Sequence, residues 1–169
     1  MKHPHIRLLL ASSLLSLAIG PVPLRAQAEP TPHLGRAADN KILAQQIVND
    51  LMKSHPELIL CGLHAVAPGA EAQTMIASSQ DKIGKSDDDD DVAVTKERKM
   101  ILVPNAKEPN KFEVQVPLQD SGGNVIGACA FVFRYQAGDD EVPLLVKAKQ
   151  IRDDIAKRLP NRDALFRSI

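Results

Sequence analysis

Residues able to do chemistry are few in this chain, and the densest group is Asp87 to Asp91, five consecutive aspartates. Carboxylates are hard oxygen ligands of the kind that hold calcium. The run has neither the internal glycine nor the distal glutamate of a calcium loop. It reads instead as a solvated acidic face, with Asp91 capping a following helix whose N-terminus favours negative charge. No metal site is expected from it.

Cys61 and Cys129 both stand inside strand-like segments. In an exported protein such a pair is a candidate disulfide, provided the strands are neighbours with Cα atoms roughly 4.4–6.8 Å apart. The alternative is that both pack as small buried side chains. His55 and His64 do not have a helical ligand spacing, and His33 lies near the N-terminus. His64 follows Leu63 in an apolar strand, so it faces away from the core or lines a pocket. Ser78, Ser79 and Ser168 lack a G-x-S-x-G setting. Gly122-Gly123 belongs to a hairpin turn, not to a phosphate-cradling strand-to-helix loop. Neither a catalytic set nor a cofactor is indicated, and the expectation is a non-enzyme.

The elements that must position these groups are legible from periodicity. Ile42, Leu43, Ile47, Leu51 and Met52 recur at helical spacing, with Asp39 or Asn40 as cap and Pro56 as the stop. Glu57–Val66 is strand-like, Pro68-Gly69 marks a turn, and Glu71–Ala77 returns as a shorter strand. After the aspartates, residues 92–99 suit a short helix and residues 100–104 a strand. Lys111–Leu118 alternates, with Phe112, Val114, Val116 and Leu118 on one face. Asp120 to Asn124 is a glycine-bearing turn, and Val125–Tyr135 is the longest strand. Val142–Leu159 closes the domain as a helix with an apolar stripe. The order predicts an α+β fold: a five-stranded antiparallel sheet with helices mainly on one face.

Compartment is read at the N-terminus. Lys2, His3, His5 and Arg7 precede the apolar stretch Leu8–Ile19, and Ala26-Gln27-Ala28 supplies small residues for cleavage. This is the pattern of a secretory signal peptide over residues 1–28. Its apolar core is well short of the ~20 residues that span a bilayer. No later segment is apolar enough, so no membrane insertion is expected after cleavage, and the localisation expected is periplasmic or secreted. Cleavage removes Lys2, Arg7 and Arg25 but no acid, leaving 18 basic against 21 acidic residues and a net charge of −3. That balance argues against a nucleic-acid partner. Residues 29–37 read as a disordered leader, residues 38–159 as one domain, and residues 160–169 as a C-terminal tail.

Two stretches together resemble a known family. Ile76 to Val94 (IASSQDKIGKSDDDDDVAV) and Val116 to Phe133 (VPLQDSGGNVIGACAFVF) resemble the extracytoplasmic PAS-like sensor domains called Cache or PDC domains. In that family a strand ends in a small polar pair, here Ser78-Ser79, and a loop with an IGK-like turn follows, here Lys82 to Lys85. Acidic residues and a short helix precede three strands. The last two strands are joined by a D-x-x-G-x-x-I/V-G turn, matched by Asp120, Gly123, Ile126 and Gly127. The resemblance implies a PAS-like (profilin-like) sheet with a long N-terminal helix, and a ligand pocket between the sheet and the loop before the third strand.

Carried onto this chain, the pocket residues implied are His64, Ser78, Ser79, Lys82, Arg134 and Tyr135, with Lys82 or Arg134 pairing with an anionic ligand such as a carboxylate. Gly127, Ala128 and Ala130 leave room on the last strand for a close helix or a ligand. Family members commonly sit between membrane helices and feed an output domain, and this chain shows neither. The expectation is therefore a free-standing exported small-ligand-binding or sensor module, with a membrane-bound signalling protein as its macromolecular partner. The alternative is a periplasmic interaction or structural module on the same scaffold.

Overall fold

Alternation along the strands gives the sheet one apolar face and one mixed face, and the helices divide accordingly. The structure, a computed structural model, describes residues 35–169. The expected signal peptide (1–28) and most of the expected leader (29–37) lie outside the described residues. The elements are α1 (Leu43–Ser54), β1 (Leu58–Val66), β2 (Gln73–Ser78), α2 (Asp89–Lys96), β3 (Ile101–Pro104), β4 (Lys111–Gln119), β5 (Val125–Arg134) and α3 (Val142–Ala156), with short 3₁₀ turns at Ala37–Asp39 and Arg162–Phe166. The five strands form one antiparallel sheet in the order β2-β1-β5-β4-β3. The expected fold class is the one observed.

On the apolar face, α1 packs against β1 and β2, and α3 packs against β4. Helix α1 buries Leu43, Ala44, Ile47, Val48 and Leu51, the stripe its spacing predicts. Opposite these helices lie Cys61 and Leu63 of β1, Val114, Val116 and Leu118 of β4, and Cys129, Phe131 and Phe133 of β5, all in one buried cluster. Period-two geometry puts alternate residues on one side, so the core and the opposite face are drawn from the same strands.

Three local expectations need correction. Neither Asp39 nor Asn40 caps α1: its N-cap is Ile42, without a side-chain cap, and the Leu43 N–H donates to the Arg167 carbonyl instead. The last ten residues are consequently part of the fold. Leu165 is buried, and Ser168 bridges to Ile42. The cap of α2 is Asp88, not Asp91.

Cys61 and Cys129 are both free and buried. Their strands are neighbours, but Cys61 stands opposite Phe131 and Cys129 opposite Leu63. The cysteines are thus a diagonal pair, and diagonal positions in an antiparallel sheet lie about 7–8 Å apart, beyond ordinary disulfide reach. Burial pushes the Cys61 thiol up to about 12, and burial likewise raises Cys129. They pack, as the alternative reading had it.

Candidate functional site

The other face of the sheet carries Leu60, Gly62 and His64 of β1, Ala128, Ala130 and Val132 of β5, and Glu113 and Gln115 of β4. The pairings Gly62↔Ala130↔Gln115 and His64↔Ala128 place them in rows. Three small residues make this floor low. Helix α2 packs over β4 and β5, and its Val94 is fully buried. Between the floor, α2 and the loop after β2 lies a cavity of about 300 Å³, walled by His64, Met75, Lys82, Asp91, Gln115 and Val132 among others.

How the aspartates reach that face is set by the loop after β2. Gly84, with a φ of +88°, lets the chain turn back along the outer edge of β2. Its N–H donates to the Met75 carbonyl (2.8 Å), and the Met75 N–H donates to the Lys85 carbonyl (2.9 Å). A bridge between Thr74 and Ser86 completes this short edge. Asp87 follows at once and folds inward. Asp88 then starts α2 through a reciprocal capping box: its side chain accepts from the Asp91 N–H (3.2 Å), and Asp91 accepts from the Asp88 N–H (3.3 Å).

Two of the five aspartates are therefore not solvated. The Asp87 and Asp91 side chains are each only 3% exposed, beside a His64 ring that is 1% exposed. The His64 Nδ1–H donates to Asp87 Oδ1 at 2.7 Å, and Asp91 Oδ2 lies 3.8 Å from the same nitrogen. The second oxygen of Asp87 accepts a short hydrogen bond from the Gln73 side-chain amide. Burial pushes the Asp91 carboxyl up, with His64 pulling it back down. A carboxylate on Nδ1 holds the ring in one tautomer, leaving Nε2 as the free nitrogen.

His64, Asp87 and Asp91 bring three potential metal-ligand atoms within 4.8 Å of one another. The donors are already spent on each other, however. A cation there would have to displace the 2.7 Å hydrogen bond from Nδ1, and the Gln73 amide occupies the other Asp87 oxygen.

The unsatisfied atoms lie elsewhere. His64 Nε2 and Gln115 Oε1 are buried with no hydrogen-bond partner. The Gln115 amide donates to Glu113 Oε1 (3.0 Å), which leaves its carbonyl oxygen unpaired. A Cβ on Gly62 would sit 3.6 Å from His64 Nε2, so the glycine keeps open the spot onto which that nitrogen looks. The Met75 methyl borders the same spot, 3.3 Å from it.

Of the six pocket residues implied by sequence, His64 and Lys82 wall the cavity. Ser78 is turned toward α1, where Gln45 clamps its backbone with hydrogen bonds of 2.8 and 3.0 Å, and its hydroxyl accepts from the Gln80 N–H. The Ser79 hydroxyl accepts from the Cys61 N–H, tying β2 to β1. Arg134 is exposed at the end of β5. Tyr135 packs at a tilt against Phe112 of the core, 4.9 Å between ring centres, and its hydroxyl reaches Glu141. Those four residues are structural or peripheral.

Gly127 also has a different purpose from the one expected. A Cβ there would fall 2.0 Å from the His64 carbonyl oxygen, so it makes room for β1 itself and not for a helix or ligand.

Sequence reasoning left Asp87 and Asp91 in a solvated acidic face and passed over Gln73 and Gln115. Gln115 had a usable signal, since it alternates with the apolar face of β4. Its burial depends on α2, which sequence alone does not place.

No protein-family model matches the chain, and no curated protein matches it in sequence. Solved structures do. A GAF domain region from Geobacter sulfurreducens PCA is similar over 72% of this chain and 93% of its own, with 15% identity and a TM-score of 0.50. The A. aeolicus nlh2 GAF domain in an inactive state is similar over 77% of this chain and 87% of its own, with 11% identity and a TM-score of 0.50. At such identities the likeness speaks to fold: this is a GAF/PAS-like sheet.

Proposed function

We propose that this chain is an exported, non-enzymatic module of the PAS-like sensor type that binds a small molecule in the cavity under α2. The observation that carries the reading is the pair of buried, unpartnered polar atoms, His64 Nε2 and Gln115 Oε1, on residues that wall that cavity. A buried polar atom without a partner costs about 1–3 kcal/mol. A ligand that satisfies both would recover much of that cost on binding. The non-enzymatic part is supported by the chemistry of the nucleophiles: both thiols lie on the face covered by α1 and α3, and burial keeps them protonated. Export rests on the N-terminal pattern over residues 1–28, and the Cache or PDC kinship on the stretches Ile76 to Val94 and Val116 to Phe133.

Thermal-shift screening of the purified protein against amines, amino acids, organic acids and divalent cations tests the binding role. A ligand present at ~100 times its dissociation constant should add about 2.7 kcal/mol of stability. Native mass spectrometry of protein taken from its own compartment should reveal the same compound. A protein that no compound stabilises and that carries nothing when isolated would sink the proposal. Export is tested separately: the N-terminus of the fractionated protein should begin at Glu29, and an intact Met1 in the cytoplasmic fraction would contradict it.

A further inference from the structure

The polarity of the unpartnered atoms says more than that something binds. With Nδ1–H committed to Asp87, the His64 ring in its neutral form offers a lone pair at Nε2. Gln115, with its amide committed to Glu113, offers only a carbonyl oxygen. The Gln115 oxygen calls for a donor, and so does His64 Nε2 when the ring is neutral. The wall reinforces this demand: five carboxylates (Asp88, Asp90, Asp91, Glu108 and Glu113) face the cavity against three lysines. Two of those lysines are already matched, Lys111 to Glu108 and Lys85 to Asp88. Arg134, the other cation that an anionic ligand would need, lies outside the site.

Resting on the binding role proposed for this cavity, we propose that the ligand is a small amine, cationic and rich in hydrogen-bond donors, and not a carboxylate. One donor meets His64 Nε2 and a second meets Gln115 Oε1. The two residues stand on strands separated by β5 and are offset by two residues along it, so their backbones are about 12 Å apart across the floor. The His64 ring reaches over Gly62, where a Cβ would stand 3.6 Å from Nε2, and this shortens the span that the ligand bridges. Met75, unbranched and flexible, closes over the Nε2 end and can yield by changing rotamer.

The test is calorimetric titration of the purified protein with two matched pairs: 1,4-diaminobutane against butanedioate, and ethanolamine against glycolate. Each pair has one carbon count and opposite charge. The expected result is binding of an amine at least about tenfold tighter than its acid, a difference of about 1.4 kcal/mol. Gln115→Leu, which keeps the volume and the fold, should weaken the amine about tenfold by removing one acceptor. His64→Ala should abolish binding. Because that variant loses a buried pair, Gln115→Leu decides the matter if His64→Ala does not fold.

Preference for butanedioate or glycolate, or a neutral or anionic hit in the broader screen, overturns the amine assignment and leaves the binding role standing. So does amine binding indifferent to Gln115→Leu. Stabilisation by a divalent cation alone, lost in Asp87→Asn, overturns it in favour of a metal site. Silence of all four probes together with silence of the screen overturns both proposals.

Discussion

The two faces of one sheet obey opposite rules in this protein. On the side of α1 and α3, Phe112, Phe131, Phe133, Leu63 and Leu118 are fully buried and fill the space between strand and helix. On the side of α2, the same strands offer Gly62, Ala128 and Ala130, and the space they leave is walled by charges. One face maximises apolar burial, which is what stabilises a domain of this size. The other leaves buried polar atoms unsatisfied, which only costs stability unless something binds. The contrast separates residues kept for folding from residues available for function, even where they alternate along a single strand.

The comparison breaks most readily at adjacent residues of β5. Phe131→Ala should destabilise by about 3–5 kcal/mol in denaturant unfolding, because a packed aromatic leaves a void among its neighbours. Val132→Ala, one residue on and facing the cavity, should cost about 1 kcal/mol or less, since no close-packed shell surrounds it on that side. Equal losses would mean that both faces are packed alike.

Two glycines extend the test. Gly127→Ala should cost about 1–3 kcal/mol or more, because its methyl meets the His64 carbonyl and backbone must move. Gly62→Ala meets only side-chain atoms at 3.3 Å and beyond, so stability should hold to within about 1 kcal/mol while ligand affinity falls. A Gly62→Ala protein with full affinity would remove the glycine from the site.

Within the acidic run, Asp87→Ala should cost about 1–3 kcal/mol by orphaning His64 Nδ1 and the Gln73 amide. Asp89→Ala, at an exposed position two residues away, should stay within about 0.5 kcal/mol. Similar small losses from both would restore the reading of a uniformly solvated run.

The smallest effect is a pair of opposed pH slopes. Burial raises Asp91 above the ordinary carboxylate value of about 3.9, so its contribution to stability is present below that value and is lost as pH rises through its native one. Asp120 is lowered, chiefly by its hydrogen bonds from Asn124, so its contribution is present above about 3.9 and is lost as pH falls through its native value. Melting temperatures from pH 3 to 7 should therefore respond in opposite senses. Asp91→Asn should gain on the parent as pH rises, and Asp120→Asn should gain on it as pH falls. Slopes of the same sign would refute the assignment.

The face under α1 and α3 was legible in the sequence because its signals are local and periodic. The stripe of α1, the alternation of β4 and the Asp120 turn each declare themselves within a dozen residues. Asp120 behaves as the turn chemistry requires, accepting from the Gly122 and Asn124 N–H groups. The cavity was only half legible. His64 and Lys82 could be placed there by resemblance, whereas Ser78 and Tyr135, equally plausible by that standard, went to the core side. The decisive miss was Asp87. In a run of five identical residues, composition cannot distinguish the two that fold inward from the three that do not.

By itself, then, the chain determined its strand and helix pattern, its open α+β class and the face on which its core would form. Those follow from apolar periodicity, which each segment carries alone. Tertiary structure decided which polar residues meet: β1 brings His64, the turn at Gly84 brings Asp87, the capped start of α2 brings Asp91, and β4 brings Gln115. Their chemistry depends on burial and on partners distant in sequence, and only the assembled sheet, loop and helix supply both.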